Sequence, residues 1–190
     1  WRRAFGQGDI PFLQVQLANY MAESAQPKQS SWAELRDAQA ATALEDPAGG
    51  FAVAIDVGDA KDIHPTDKRS VGERLARWAL AAHYRLGGAP CGPLYEGMAI
   101  EAGGRVRVRF RHADGLRTRD GQAPAHVAIA GANRVFVWAQ TAIEDGTLLA
   151  WHPDVPRPAA VRYAWADNPA GCNLVAGDGA PAAPFRSDAW

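Results

Sequence analysis

Asp62-Ile-His64-Pro65 is the stretch of this sequence best suited to do chemistry. An imidazole acts as a general base toward a hydroxyl nucleophile when a neighbouring acceptor fixes its tautomer, and a carboxylate two residues earlier in a loop can be that acceptor. Asp59 is a second carboxylate within reach. The ordinary alternative is a loop histidine beside a turn-forming aspartate. What favours chemistry is position. The apolar run Phe51–Val57 stops at Gly58-Asp59, the loop follows, and a helical pattern begins at Thr66. A loop at the carboxyl end of a buried strand is where open α/β sheets bind ligands.

A nucleophile is harder to find. The serines are Ser24, Ser30, Ser31, Ser70 and Ser187, and none lies in a Gly-x-Ser-x-Gly elbow or a Gly-Asp-Ser motif. Ser30 and Ser31 read as helix caps, and Ser70 falls inside a helical pattern. His83 suits the end of a helix, where a partial negative charge favours it. His112, His126 and His152 share no spacing, and Cys91 and Cys172 fit no metal pattern, so no metal is expected. The two cysteines either pair or stay free. Arg36 and Gln39 read as a solvated helix face near the strand ends, with contact to substrate as the alternative. Arg105, Arg107, Arg109 and Arg111 read as the outer face of a sheet, with an anion-binding row as the alternative. Tyr163 and Trp165 either contact sugar or seal two parts of the chain together.

The elements that must position His64 come in order. Leu13, Val15 and Leu17 alternate with Gln14 and Gln16, which is a strand period over 12–18. Ser31-Trp-Ala-Glu34 has the capping-box pattern, predicting a helix over 32–44. Phe51–Val57 is almost continuously apolar, as in a strand covered on both faces. Val71, Leu75, Trp78 and Ala82 then fall on one helical stripe, stopped by Gly87-Gly88. Strand, helix, strand and helix predict an α/β layer. After Gly88 the period changes. Arg105–Arg111, His126–Ala130, Arg134–Trp138, Thr147–Trp151 and Ala159–Trp165 read as short strands between turn signals, predicting a small β-sandwich. The expected division is 1–90, bearing the histidine, and 91–190, a β domain.

The chain has 190 residues, of which 47% are hydrophobic, with net charge −1. That supports a packed core and gives no reason to expect nucleic acid or an anionic membrane as partner. No apolar run approaches the roughly 20 residues of a membrane span. Trp1-Arg-Arg-Ala-Phe5 has neither an initiator Met nor the features of a signal peptide, and the chain reads as the later part of a longer one.

Several stretches resemble the sialate O-acetylesterase group of the SGNH (GDSL-like) hydrolases. They are Phe12–Tyr20 (FLQVQLANY), Trp32–Gln39 (WAELRDAQ), Ile55–Pro65 (IDVGDAKDIHP), Val71–Leu80 (VGERLARWAL), Gly92–Tyr95 (GPLY), Val161–Pro169 (VRYAWADNP) and Pro184-Phe-Arg186. The resemblance implies the C-terminal part of a flavodoxin-like α/β/α hydrolase domain followed by an all-β domain. It implies a secreted, periplasmic or extracellular serine esterase that removes acetyl groups from sugar hydroxyls of sialic acid or hemicellulose without metal or cofactor. His64 matches the catalytic histidine of that group. The aspartate usually found three residues earlier is replaced by Lys61, which leaves Asp62, with Asp59 in reserve, or a Ser–His dyad. The serine and oxyanion-hole blocks of that group have no counterpart here, and Gly6-Gln7-Gly8 lacks the serine. The nucleophile is therefore implied to lie upstream or on a companion N-terminal polypeptide. The rival expectation is a carbohydrate-binding protein without catalysis, using Trp138, Trp151 and Trp165.

Overall fold

The computed structural model describes all 190 residues. A short helix, α1 (Arg2–Phe5), leads into β1 (Phe12–Val15). Helix α2 (Ser31–Glu45) follows, then β2 (Gly49–Ala52), which pairs in parallel with β1 from Phe12↔Gly49 to Val15↔Ala52. Helix α3 (Lys68–Trp78) passes into a π-helical turn over Ala79–His83. The α2 cap lies one residue earlier than the capping box implies: Ser30 Oγ accepts the Ala33 N–H at 3.0 Å. β2 is shorter than the apolar run suggests. The chain stays buried from Val53 to Ile55, but the ladder with β1 ends at Val15↔Ala52.

Everything that follows is antiparallel. β3 (Leu94–Glu101) and β4 (Arg105–Arg111) form a hairpin through Gly103 and Gly104, both at positive φ. β5 (Arg117–Thr118), β6 (Val127–Ala130), β7 (Phe136–Trp138), β8 (Gln140–Glu144), β9 (Thr147–Trp151), β10 (Ala160–Tyr163), β11 (Leu174–Val175) and β12 (Phe185–Arg186) complete the chain. One four-stranded sheet has the order β3-β4-β9-β8 and another β12-β10-β6-β7, while β11 pairs with β5. The β8–β9 turn, Asp145-Gly146, has φ of 50° and 70°, the left-handed pair that a two-residue hairpin demands.

The expectation of a flavodoxin-like α/β/α domain is corrected by this topology. Its parallel component is a single two-stranded pair, and antiparallel sheets dominate the molecule. A strand-helix-strand-helix sequence specifies only its own two strands. A doubly wound sheet needs several more parallel strands, and none of the later ones joins β1 or β2.

The alternation in β4 points Val106 and Val108 into the core. They join Leu148 and Ala150 of β9, Val127 and Ile129 of β6, and Val161 and Tyr163 of β10 in one hydrophobic cluster. Phe51, Val53, Ile55 and Trp78 belong to the same cluster. The strand that leads to His64 is thus anchored on the β-sheet core. No helix is long and apolar enough to cross a membrane.

Candidate functional site

β2 delivers the chain to Asp56, where the loop toward His64 begins. Asp56 is nearly buried, its side chain only 5% exposed. Arg74 of α3 grips it through two bonds, Nη1 to Oδ1 at 2.7 Å and Nη2 to Oδ2 at 2.8 Å. The same Nη1 also donates to the Val53 carbonyl at 2.7 Å. Arg119, following β5, donates to Asp56 Oδ2 at 2.6 Å. Burial pushes this carboxyl up, but the bonds and charges of Arg74 and Arg119 outweigh it and hold the group below the usual carboxylate range. The root of the loop is therefore tied to α3 and to the β region together.

Beyond Gly58 the loop stands in solvent. Asp62 Oδ1 accepts the backbone N–H of His64 at 2.8 Å, closing an Asx turn. The same oxygen lies 3.2 Å from His64 Nδ1. One carboxylate oxygen therefore shapes the backbone and orients the ring. With the Nδ1 proton directed at Asp62, Nε2 is left with a free lone pair, the form a general base requires. Asp62 is held below the ordinary carboxylate range, chiefly by the His64 N–H, so it is ionised at neutral pH. The histidine side chain is 84% exposed and that of Asp62 60%, so the pair is open to whatever approaches it. Asp59 is used differently: its Oδ1 accepts the Lys61 N–H at 2.7 Å.

Four of the serine hydroxyls have other work. Ser24 donates to the Gln26 carbonyl, Ser30 caps α2 and donates to Asp167, and Ser70 donates to Asp67. Ser187 Oγ accepts from the Val161 N–H. Ser31 opens α2 and makes no bond to His64. Asp62 is the sole hydrogen-bond partner of the His64 ring.

Arg36 overturns the reading of a solvated helix face. It is fully buried and donates to four carbonyls: Leu17 at 2.7 Å, Ala18 at 2.9 Å, Ala166 at 2.7 Å and Asp167 at 2.9 Å. Burial lowers its pKa to about 10, which still leaves it charged at neutral pH. Gln39 likewise turns inward, bonding the Leu17 N–H and the Val15 carbonyl. The arginines of β4 form surface ion pairs, Arg105 with Glu144 and Arg107 with Glu101, as an outer sheet face does. Cys91 and Cys172 are buried free thiols, each pushed up to about 12 by burial.

Of the tryptophans that could face a sugar, Trp165 is turned inward. Trp165 is 4% exposed, with Arg162 and Arg186 over its ring. Tyr163 is buried as well, so both aromatics of VRYAWADNP seal the interior. Trp138 bonds the Ala25 carbonyl through Nε1, and Trp151 lies under Arg105. His126 bonds the Ala170 carbonyl and His152 accepts the Asp154 N–H, both local structural tasks.

Sequence reasoning passed over Asp56, Arg74, Arg119, Asn19 and Asn168. Asn19 and Asn168 are buried and bonded to each other at 3.0 Å across 149 positions of sequence. Their only local sign was a polar residue ending an apolar stretch, which most loops share.

No protein-family model matches the chain, and no curated protein matches it. Among solved structures, the chain is similar to a carbohydrate acetylesterase from Xanthomonas citri, at 39% identity and a TM-score of 0.91. The match covers the whole of this chain and 44% of that enzyme, so the chain spans less than half of its relative's length. At that identity the two share a fold throughout this chain.

Proposed function

We propose that this chain is part of a carbohydrate O-acetylesterase, with His64 as general base and Asp62 as its orienting carboxylate. The observation that carries the reading is the Asp62–His64 pair, with Nε2 free, in a loop beyond a parallel strand pair. The chain that bears it is 39% identical over its full length to a carbohydrate acetylesterase. The sequence likeness to the sialate O-acetylesterase group of SGNH hydrolases supports the same assignment of His64.

The nucleophile in this reading is a serine of a companion N-terminal polypeptide. Two features favour that. The chain's own hydroxyls are not bonded to His64. β1 pairs only with β2, so its outer edge is open, and Trp1, Phe5, Phe12 and Val15 are exposed on or near it. An unpaired edge beside exposed apolar side chains is a surface that another polypeptide covers.

The mechanism then follows. The serine hydroxyl attacks the acetyl carbonyl as His64 Nε2 takes its proton, forming the tetrahedral adduct. The protonated imidazole returns that proton to the sugar oxygen as the C–O bond breaks, leaving an acetyl-serine. His64 next deprotonates water as it attacks the acyl-enzyme, then returns that proton to the serine oxygen as the ester bond breaks and acetate leaves. Asp62 stabilises the imidazolium in both steps. The chemistry calls on no metal or cofactor. With a polymeric or glycan-borne substrate, this reading has the protein acting in the periplasm or outside the cell.

A fluorophosphonate probe tests this. Denaturing intact mass is measured before and after reaction of the full-length protein. A single adduct outside this chain, lost in the His64→Ala variant, is the expected result. An adduct on a serine of this chain overturns the companion nucleophile, and no adduct anywhere overturns the serine esterase. Release of acetate from O-acetylated sialic acid compared with acetylated xylan then separates the two substrate classes.

A further inference from the structure

The loop that carries His64 is clamped at two points by the stretch following β1. Asn19 Oδ1 accepts the Gly58 N–H at 2.7 Å. Two residues later, Met21 donates its N–H to the Ala60 carbonyl at 3.1 Å. Met21 does so in a left-handed conformation, φ 75°, which a non-glycine residue adopts only when its surroundings impose it. A single buried side chain bonds both Asn19 and Met21. Asn168 Oδ1 accepts from Asn19 Nδ2 at 3.0 Å, and Asn168 Nδ2 donates to the Met21 carbonyl at 2.7 Å. Both arms of one amide are thus spent on the two residues that grip the loop. The fit at the grip is close: a Cβ on Gly58 would lie 2.1 Å from the Asn19 carbonyl oxygen.

We infer that Asn168, far along the chain in the turn after β10, is a positioning residue for the His64 base, acting through Asn19 and Met21 on Gly58 and Ala60. The inference rests on the assignment of His64 above. Its physical content is that an exposed loop cannot hold a base to catalytic precision by itself. Asp62 sets the ring relative to the loop, and Asn168 sets the loop relative to the core. The β region is then part of the catalytic apparatus without touching substrate.

The test uses the full-length protein with 4-nitrophenyl acetate as substrate and amide exchange as a second readout. Asn168→Ala is expected to lower kcat roughly 100-fold, the scale of a base displaced by about an ångström, with KM unchanged. Faster exchange of the Gly58 amide should accompany it. Gly58→Ala, which lifts the loop from Asn19 while leaving Asn168 intact, should reproduce the kcat loss at constant KM, and it serves if Asn168→Ala does not fold. Undiminished kcat in a folded variant of either kind, where His64→Ala abolishes activity, overturns the positioning role alone. Full activity in His64→Ala overturns the base assignment first, and the positioning role with it.

Discussion

The loop Val57–Pro65 and the turn Tyr163–Pro169 are both short irregular connections, and they are built oppositely. From Asp59 to His64 every residue of the first is exposed. In the second only Asp167 is even partly exposed. Buried irregular backbone must have its carbonyls satisfied, and Arg36 does this for Ala166 and Asp167. The exposed loop needs no such help, because water serves its polar groups. A base that must meet substrate has to be reachable, so its loop forgoes the packing that would fix it. Rigidity and reactivity thus lie on separate segments here, joined through Asn19 and Met21.

If that division holds, substitutions in the two segments should differ in what they damage. The largest expected effect is on rate. His64→Ala should cut esterase activity of the full-length protein by roughly 10²–10⁴ while leaving the thermal midpoint unchanged. A fall in Tm together with activity would break the comparison. Arg36→Leu should do the reverse in kind. It leaves the Leu17 and Ala166 carbonyls without their guanidinium donor and takes one of two donors from Ala18 and Asp167, at a cost of about 3 kcal/mol or more, read by urea denaturation. Asp56→Asn comes next, at about 1–3 kcal/mol, since Arg74 and Arg119 lose their shared carboxylate.

Asp56 also gives a pH signature. Its folded pKa is depressed, so its stabilisation is complete above the ordinary aspartate range. It is lost as pH falls through that range to the lower folded value. The parent should therefore lose more stability than Asp56→Asn on acidification, measured as denaturation midpoints against pH. The smallest effect belongs to the outer sheet face. Arg109 is exposed, and Arg109→Ala should change stability by no more than about 0.5 kcal/mol. A larger loss there would mean that the arginine row does more than cover a sheet.

What could be read in the sequence was local. The alternation of Arg105–Arg111 and the Gly103-Gly104 hairpin are properties of neighbouring residues, and both appear in place. Helix α2 announced itself through its caps, although two adjacent serines hid which one caps. β5, β11 and β12 span two residues each, too short for any period to register. The sheet class misled for the same reason: parallel pairing of β1 with β2 is a local fact, and the antiparallel remainder is decided by pairings such as β10 with β6 and β4 with β9. At the site, Asp62 and His64 are two residues apart and were legible as a pair. Arg36, Asn19 and Asn168 were not, because a buried polar side chain is recognised by its partners, and each of these has one more than 100 residues away.

Arg36 carries a consequence for how the molecule comes to exist. Its guanidinium reaches Leu17 and Ala18 on one side and Ala166 and Asp167 on the other. During synthesis the early segment emerges long before the later carbonyls exist, and until then a cation would have to be buried half-solvated. The segment around α2 should therefore stay open until the ribosome has made nearly the whole chain. Such long-range closure slows folding, and nascent chains cut short before Ala166 should remain sensitive to protease around Arg36.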